Sequence, residues 1–226
     1  MKNIKILILA AFSFIVTNKS YAQSINWKNL KSSQKHILHL NTGLDYGVVF
    51  GLGYSYQLKS KLPTLLNISY SFPSGNELLG DFKTKIGGQV KLYTVNNFQF
   101  SASIYGIYRR YQNPLVRIQN FGSEITGVVG YYKSKWFVAG EAGFDKAIVT
   151  NFKHSAKFKE DFPAVKDGWY EPSTGGNFNY GIQTGYSLKK SDITLKIGKL
   201  LTQDFKTKPF FPYYLQLGYN LKIGRN

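Results

Sequence analysis

Strict alternation between residues 38 and 58 is the feature that most constrains this chain. Every second side chain from Leu38 to Leu58 is apolar or aromatic apart from Thr42, and the residues between them are almost all small or polar. A period of two indicates extended backbone with one apolar face and one polar face. The run is too long for one strand, even for one that crosses a membrane in about 9–11 residues. We therefore place a turn at residues 43–47, where two glycines and an aspartate permit one.

The same alternation recurs along the rest of the chain and predicts ten strands. After the opening pair, the predicted strands centre on residues 66–72, 82–92, 98–109, 125–131, 136–145, 178–188, 193–201 and 213–223. The pattern weakens between residues 110 and 123, which we interpret as a loop with frayed strand ends, and it is absent from residues 151–177. Eight strands remain an alternative if a weak pair is miscounted.

The connections between these strands are alternately short and long. Residues 59–63, 94–97, 133–135 and 189–192 form the short set, and residues 73–81, 110–123, 151–177 and 202–212 form the long set. Short turns at one end and long loops at the other are typical of outer-membrane barrels. The sequence therefore predicts an all-β fold, an up-and-down antiparallel transmembrane β-barrel with both termini at the short-turn end.

The first 22 residues have the features of a secretory signal peptide. Lys2 and Lys5 precede an apolar segment at residues 6–16, and Ser20 and Ala22 supply small residues for cleavage before Gln23. We expect residues 1–22 to be removed, residues 23–35 to form a polar periplasmic lead containing Trp27, and residues 36–226 to form the barrel. The alternative is an uncleaved helical anchor, although the segment is short for one.

Composition limits the possible partners and chemistry. The chain has no cysteine, which excludes disulfides and thiolate metal sites, and its formal net charge is +17. Such a charge favours anionic neighbours, and export makes nucleic acid an unsuitable one. We expect outer-membrane lipid and lipopolysaccharide to be the partners.

The closing strand carries a short motif. Gln216, Gly218, Leu221 and Ile223 follow a polar-x-Gly-x-x-apolar-x-apolar order. This order resembles the insertion signal of bacterial outer-membrane barrels, although the chain ends in Gly-Arg-Asn where an aromatic residue is common. The resemblance is to small outer-membrane β-barrel proteins of Gram-negative bacteria. It implies outer-membrane localisation, contact with the insertion machinery and, we expect, a monomer.

The polar face supplies candidate interior residues. Lys83, Lys85, Arg109, Glu141 and Asp145 fall on it by parity, and we expect them to form a charge network that fills the lumen. A second hypothesis makes the two carboxylates a proton or cation site. Four residues of strand separate them by roughly 13 Å, which is too far for a shared proton.

No catalytic, cofactor or metal motif is recognisable. His36 and His39 fall on opposite faces, and His154 next to Ser155 does not by itself make a nucleophile–base pair. We expect a structural or interaction protein without enzymatic activity and with a possible envelope protein partner. The alternatives are a narrow passive channel, a lipid-modifying enzyme and a soluble periplasmic lipocalin-like barrel, in which the apolar face would point inward.

The expected extracellular loop at residues 151–177 is the predicted contact site. It combines Phe158, Trp169 and Tyr170 with several lysines. Aromatic and basic side chains on an exposed loop suit lipopolysaccharide phosphates or a protein partner. The alternative is a loop that folds over the barrel mouth on its own aromatic side chains.

Overall fold

A computed structural model describes residues 24–44, 48–75, 80–173, 175–207, 209 and 212–224. These residues form eleven strands and one short helix. The strands are β1 (His36–Leu44), β2 (Val48–Gln57), β3 (Thr64–Pro73), β4 (Phe82–Val95), β5 (Phe98–Gln112), β6 (Val116–Tyr132), β7 (Trp136–His154), β8 (Gly168–Tyr170), β9 (Gly176–Ser187), β10 (Ser191–Thr202) and β11 (Tyr213–Ile223), and the helix is α1 (Ala156–Asp161). Among the described residues, no helix is long and apolar enough to cross a membrane.

Ten of the strands close into an antiparallel barrel. Neighbours in sequence pair throughout, except that β7 pairs with β9 across the excursion containing α1 and β8. The ring closes where β1 pairs with β11, from His36 opposite Ile223 to Gly43 opposite Gln216. The three-residue β8 is an additional strand on the far part of β7. The predicted ten-stranded up-and-down barrel is confirmed.

The alternation directs polar side chains inward and apolar side chains outward. Lys85, Glu141 and Lys196 are buried inside the barrel, whereas Leu40 and Ile86 remain 53% and 63% exposed on its outer surface. This arrangement is the opposite of a soluble ligand-binding barrel, where the apolar face lines the interior. The outer surface is the one that a membrane barrel presents to lipid.

Two belts of aromatic rings lie on the outer surface. The upper belt runs across β2 to β6 and ends on β8, with consecutive ring centroids 4.9–6.1 Å apart: Phe50, Phe72, Tyr70, Phe82, Tyr108, Phe121 and Trp169. The lower belt includes Phe98, Tyr131 and Trp136. Phe98 and Tyr108 are ten residues apart on β5, or roughly 33 Å, and a strand tilt of about 40° reduces this to about 25 Å along the barrel axis. The spacing matches the apolar band of an outer-membrane barrel.

Connections differ at the two ends as predicted. Four short connections lie at one end of the barrel, which we call the turn end: residues 58–63, 96–97, 133–135 and 188–190. We call the opposite end the loop end. The prediction of a loop at residues 110–123 is wrong, because β5 and β6 continue as a paired hairpin to Gln112 and Val116. The prediction for residues 151–177 needs a smaller correction: β7 continues to His154, β9 begins at Gly176, and α1 and β8 lie between them.

The predicted lead folds into the turn end of the barrel. Residues 24–35, called the N-terminal plug below, place Ile25 and Trp27 inside the barrel, where both are buried. They join a cluster of inward apolar side chains from the strands: Ile37, Leu65, Val128, Tyr132, Phe137 and Ala139. Because the plug fills the section that the turns surround, the turn end of the interior is occupied by protein.

Candidate functional site

Amide side chains attach the plug to the short turns. Asn26 Nδ2 donates to Lys133 O at 2.8 Å and to Ser187 Oγ at 2.9 Å, and Asn29 Nδ2 donates to Ser134 O at 2.6 Å. Gln34 Nε2 donates to Lys189 O at 3.3 Å. These bonds use carbonyl groups of two different turns, so the plug connects hairpins that are distant in sequence.

A buried polar layer lies directly above the plug. Lys222 Nζ is 2.7 Å from Asp192 Oδ1, and both side chains are fully buried. His39 lies between Asn220 Oδ1 and Ser55 Oγ, at 2.8 and 2.6 Å from its two ring nitrogens. Asn220 Nδ2 also donates to Ser24 O at 2.7 Å. The plug is thereby connected to both strands of the closing seam.

Glu141 is the centre of the next layer. Its Oε2 accepts from Lys196 Nζ at 2.8 Å and from Gln183 Nε2 at 3.1 Å, and its Oε1 accepts from Tyr214 Oη at 2.8 Å. All four side chains are buried. The donors come from β9, β10 and β11, so one carboxylate connects four neighbouring strands inside the barrel.

A third buried ion pair connects β4 to β6 closer to the loop end. Lys85 Nζ is 2.6 Å from Glu124 Oε2, and both side chains are buried. Beside it, Asn67 Nδ2 donates to Tyr105 Oη at 2.7 Å. Burying charges is costly unless they are paired and hydrogen bonded, so these layers account for the fixed positions of the interior cations.

A cavity of about 500 Å³ opens above these layers at the loop end. A cross-strand row of inward residues forms one wall, in which Lys83 is directly opposite Arg109 and Arg109 is directly opposite Asn120. Asn120 Nδ2 donates to Thr150 Oγ1 at 2.8 Å, which continues the row onto β7. The described lining residues are Lys83, Ile107, Arg109, Tyr111, Ile118, Asn120, Gly122, Asp145, Lys146, Ala147, Thr150, Gly175 and Asn177. We call this space the mouth cavity.

A β-bulge shapes the mouth cavity. Gly122 pairs with Ala147 and Phe121 with Val149, which leaves Ile148 as the extra residue of β7. A Cβ on Gly122 would lie 2.5 Å from Lys146 O, so only glycine permits this close approach of β6 and β7. The bulge returns Thr150 to the interior face, where it lines the cavity.

The five predicted lumen residues occupy three levels of the interior. Glu141 lies in the middle with Lys196, and Lys85 lies above it with Glu124. Lys83, Arg109 and Asp145 line the mouth cavity. Asp145 Oδ1 accepts the backbone N–H of Asn177 at 3.1 Å. The carboxylates are therefore on different levels, each with its own donors.

The closing-strand residues divide between the two faces of β11. Gln216 is buried inside, Gly218 also falls on the interior face, and Ile223 is exposed at the outer surface. Gly218 lies opposite Asn41 on β1 and Thr194 on β10. The role of this motif as an insertion signal stays a prediction.

The predicted contact residues of the loop do not form one cluster. Trp169 belongs to the upper belt, with its ring centroid 6.0 Å from that of Phe121. Tyr170 packs edge-on against Phe152, and Phe158 stacks on His154. A partner that touched all three would have to span from the outer surface to the helix.

Asp167 fixes the loop containing α1. Its Oδ1 accepts from the backbone N–H and from Nδ1 of His154 at 2.8 and 2.9 Å, and its Oδ2 accepts from Lys159 Nζ at 2.6 Å. These donors hold the pKa of Asp167 well below its usual range. Ser155 Oγ accepts the Phe158 N–H and caps α1. Ser155 and His154 are thus engaged in loop contacts, and the described residues contain no group of three acidic or histidine side chains suited to a metal ion.

Sequence reasoning missed Glu124 and the plug. Glu124 lies on the interior face of β6, directly after residues 110–123, where the weak alternation predicts a loop and therefore no inward charge. Two features of the sequence indicate the plug. Ile25 and Trp27 are apolar residues in a polar segment, and apolar side chains such as Ile37 and Leu65 occupy inward positions near the turn end, where they can pack against them.

Comparisons with known proteins give a distant likeness of shape. No protein-family model and no curated protein matches the chain. The chain is similar to a solved structure of a KdgM porin, with a TM-score of 0.43 and 9% identity over 83% of this chain and 99% of that one. It is also similar to a KdgM porin in complex with disordered oligogalacturonate, with a TM-score of 0.42 and 8% identity over the same shares. At this level neither likeness carries a conclusion about function.

Proposed function

We propose that this chain is an integral outer-membrane protein of a Gram-negative bacterium whose barrel is closed to solute flow and whose function is binding at its loop end. The filled interior is the observation that supports this proposal. The plug, the Glu141 layer and the Lys85–Glu124 pair occupy successive levels between the turn end and the mouth cavity. A barrel of this size has an interior that side chains can fill.

The outer surface supports the membrane location. Its apolar band lies between two aromatic belts about 25 Å apart, and aromatic side chains favour the two membrane interfaces. We expect a monomer in contact with lipid and lipopolysaccharide, delivered by the insertion machinery after removal of residues 1–22. An envelope protein partner and the absence of enzymatic activity also belong to this proposal.

Conductance in planar bilayers distinguishes the closed barrel from a passive channel, the function named by the two similar structures. The purified protein should insert and give no steady current steps, while a known porin in the same bilayer gives them. Heat-modifiable migration on a gel, measured on the same vesicles, establishes that the silent protein is folded. Steady current steps from the folded protein would overturn the proposal in favour of a channel.

Membrane fractionation tests the location independently. The protein should remain in the outer-membrane fraction after a carbonate wash. Recovery in the soluble periplasmic fraction would contradict the outward orientation of the apolar face.

A further inference from the structure

The turn end of the barrel is uniformly basic. Three of its four turns carry two lysines each, and all six side chains are exposed: Lys59, Lys61, Lys133, Lys135, Lys189 and Lys190. Three further lysines lie in the plug. The plug and the four turns, all within the described ranges, contain no aspartate or glutamate. This face therefore has a positive potential that no acidic side chain of its own offsets.

The acidic side chains lie elsewhere in the molecule. In the described part of the chain, Glu124, Glu141, Asp145 and Asp192 belong to the interior, and the other acidic residues lie at the loop end. Asp192 is paired with Lys222 at 2.7 Å. None of the six turn lysines forms an ion pair with a residue in the described ranges. These lysines can therefore interact with anions from outside the protein.

One of the three turns lies at the depth of a membrane interface. Lys133 Nζ is 5.8 Å from the ring centroid of Tyr131 and 5.9 Å from that of Trp136, and both rings belong to the lower belt. Lys135 directly precedes Trp136. Aromatic belts lie at the level of the lipid headgroups, and lysine side chains extend their ammonium groups to that level. The turn at residues 133–135 therefore places two cations where lipid phosphates lie.

Exposed leucines accompany the lysines of the other two turns. Leu62 follows Lys61 and is 46% exposed, and Leu188 precedes Lys189 and is 48% exposed. An apolar side chain beside a cation suits the boundary between acyl chains and headgroups, where each finds its own partner. An acidic polysaccharide or peptide would pair with the lysines and offer the leucines no apolar contact. The combination favours a lipid surface.

We propose that the turn end binds phospholipids with a negatively charged headgroup, in the periplasmic leaflet, in preference to zwitterionic phospholipids. The lysines of the three turns contact the phosphate groups around the rim, and the plug lysines add to the positive potential of the face. This proposal goes beyond the binding function at the loop end, and it rests on the membrane location proposed above.

Quenching of Trp136 by brominated lipids measures this preference. In a variant with Trp27→Phe and Trp169→Phe, Trp136 is the only tryptophan, and it lies beside Lys133 and Lys135. The folded protein is placed in vesicles of equal parts phosphatidylcholine and phosphatidylglycerol, with bromine on one lipid or on the other. Brominated phosphatidylglycerol should associate at least about threefold more strongly, since each lysine near the surface attracts anionic lipid. Salt at about 0.5 M should reduce this ratio by screening.

Matched charge variants separate the turn from the rest of the protein. Lys133→Gln with Lys135→Gln should remove the preference at Trp136. Lys157→Gln with Lys166→Gln removes the same charge from exposed positions between β7 and β8, and the preference should remain. Heat-modifiable migration on a gel shows that each variant is folded in the vesicles.

Equal association of the two lipids would overturn the proposal, as would an unchanged preference in Lys133→Gln with Lys135→Gln. No quenching by either lipid would overturn the membrane location and this proposal with it, so the two failures are distinguishable. Purified peptidoglycan tests the other acidic partner of this compartment. If the protein in detergent sediments with it, loses this in Lys28→Gln, Lys31→Gln and Lys35→Gln combined, and shows no lipid preference, the basic face belongs to peptidoglycan and the proposal is wrong.

Discussion

The side chains of Lys85 and Glu124 form an ion pair, and both side chains are buried. Glu124→Gln would leave the Lys85 ammonium buried opposite a neutral amide, so we expect a loss of about 3–5 kcal/mol in the free energy of unfolding. Urea unfolding of the protein in vesicles measures this loss. The double variant Lys85→Met with Glu124→Gln should recover much of it, because the buried ammonium is then removed together with the carboxylate.

An exposed ion pair in the same chain supplies the control. Lys159→Met breaks the contact of Lys159 with Asp167 in the loop, where solvent screens both groups. The free energy of unfolding should then change much less than in Glu124→Gln, because an exposed ion pair stabilises little. If Glu124→Gln lowers the free energy of unfolding no more than Lys159→Met does, water in the interior must solvate the Lys85 ammonium. That result would contradict a lumen filled by side chains.

The alternation along each strand predicts whether a side chain points into or out of the barrel. It does not predict which residue that side chain contacts. Lys83, Lys85, Arg109, Glu141 and Asp145 all lie on the inward face, because the direction of a strand side chain depends only on its position along the strand. The partner of Glu141 is Lys196, 55 residues away on β10. Which residues meet across a barrel depends on register and strand tilt, which a single sequence does not encode locally.

At the scale of elements, the loop with α1 depends on one carboxylate. Asp167→Asn removes the charge that accepts from His154 and Lys159, so we expect faster trypsin cleavage at the lysines of α1 and of the segment before β8. Asp161→Asn removes an equal charge from the end of α1 and is the matched control. Equal cleavage rates of the two variants would show that the Asp167 contacts do not order the loop.

The same carboxylate gives the loop a defined pH dependence. Because the pKa of Asp167 is depressed in the folded loop, its contribution to order is complete above its ordinary value of about 4 and is lost only as the pH falls through the depressed value. Asp167 should therefore stay ionised down to about pH 3, where an ordinary aspartate is mostly protonated. Carboxyl chemical shifts in a nuclear magnetic resonance titration check this, and protonation of Asp167 above about pH 3 would contradict it.

The length of these hairpins explains why the sequence predicts a loop at residues 110–123, where the structure has paired strands. Strands β5, β6 and β7 have 15, 17 and 19 residues, whereas a membrane crossing needs about 9–11. Beyond the upper belt neither face contacts lipid, so no selection for apolar residues on alternate positions applies there. The alternation fades between residues 110 and 123 although the strands continue. The pattern identified the membrane-spanning parts of these strands and not their ends.

For the whole molecule, the three tryptophans report on the membrane position of different parts. Trp136 is in the lower belt, Trp169 is in the upper belt, and Trp27 is buried inside the barrel end. In single-tryptophan variants with phenylalanine at the other two positions, lipids brominated near the headgroup should quench Trp136 and Trp169 strongly and Trp27 weakly. Steady-state fluorescence in vesicles measures the quenching.

Lipids brominated near the chain ends provide the control. They should quench all three residues less than the headgroup-proximal lipids quench Trp136 and Trp169, because aromatic belts lie at the interfaces. Stronger quenching of Trp27 than of Trp136 would contradict the inside position of the plug. No quenching at any position would place the barrel outside the bilayer.

The plug also constrains the order of folding. It precedes β1 in the chain, yet its bonds reach Asn220 and Lys222 on the last strand, and Ser24 and Asn220 are separated by 196 positions in sequence. Contacts of such long sequence separation form late, since the intervening chain must first be brought together. We therefore expect the strands to form an unclosed sheet until the first and last strands pair. The plug should take its native position inside the barrel only when they do. Trp27 should accordingly reach its native fluorescence only in the slowest refolding phase, and an earlier change would refute that order.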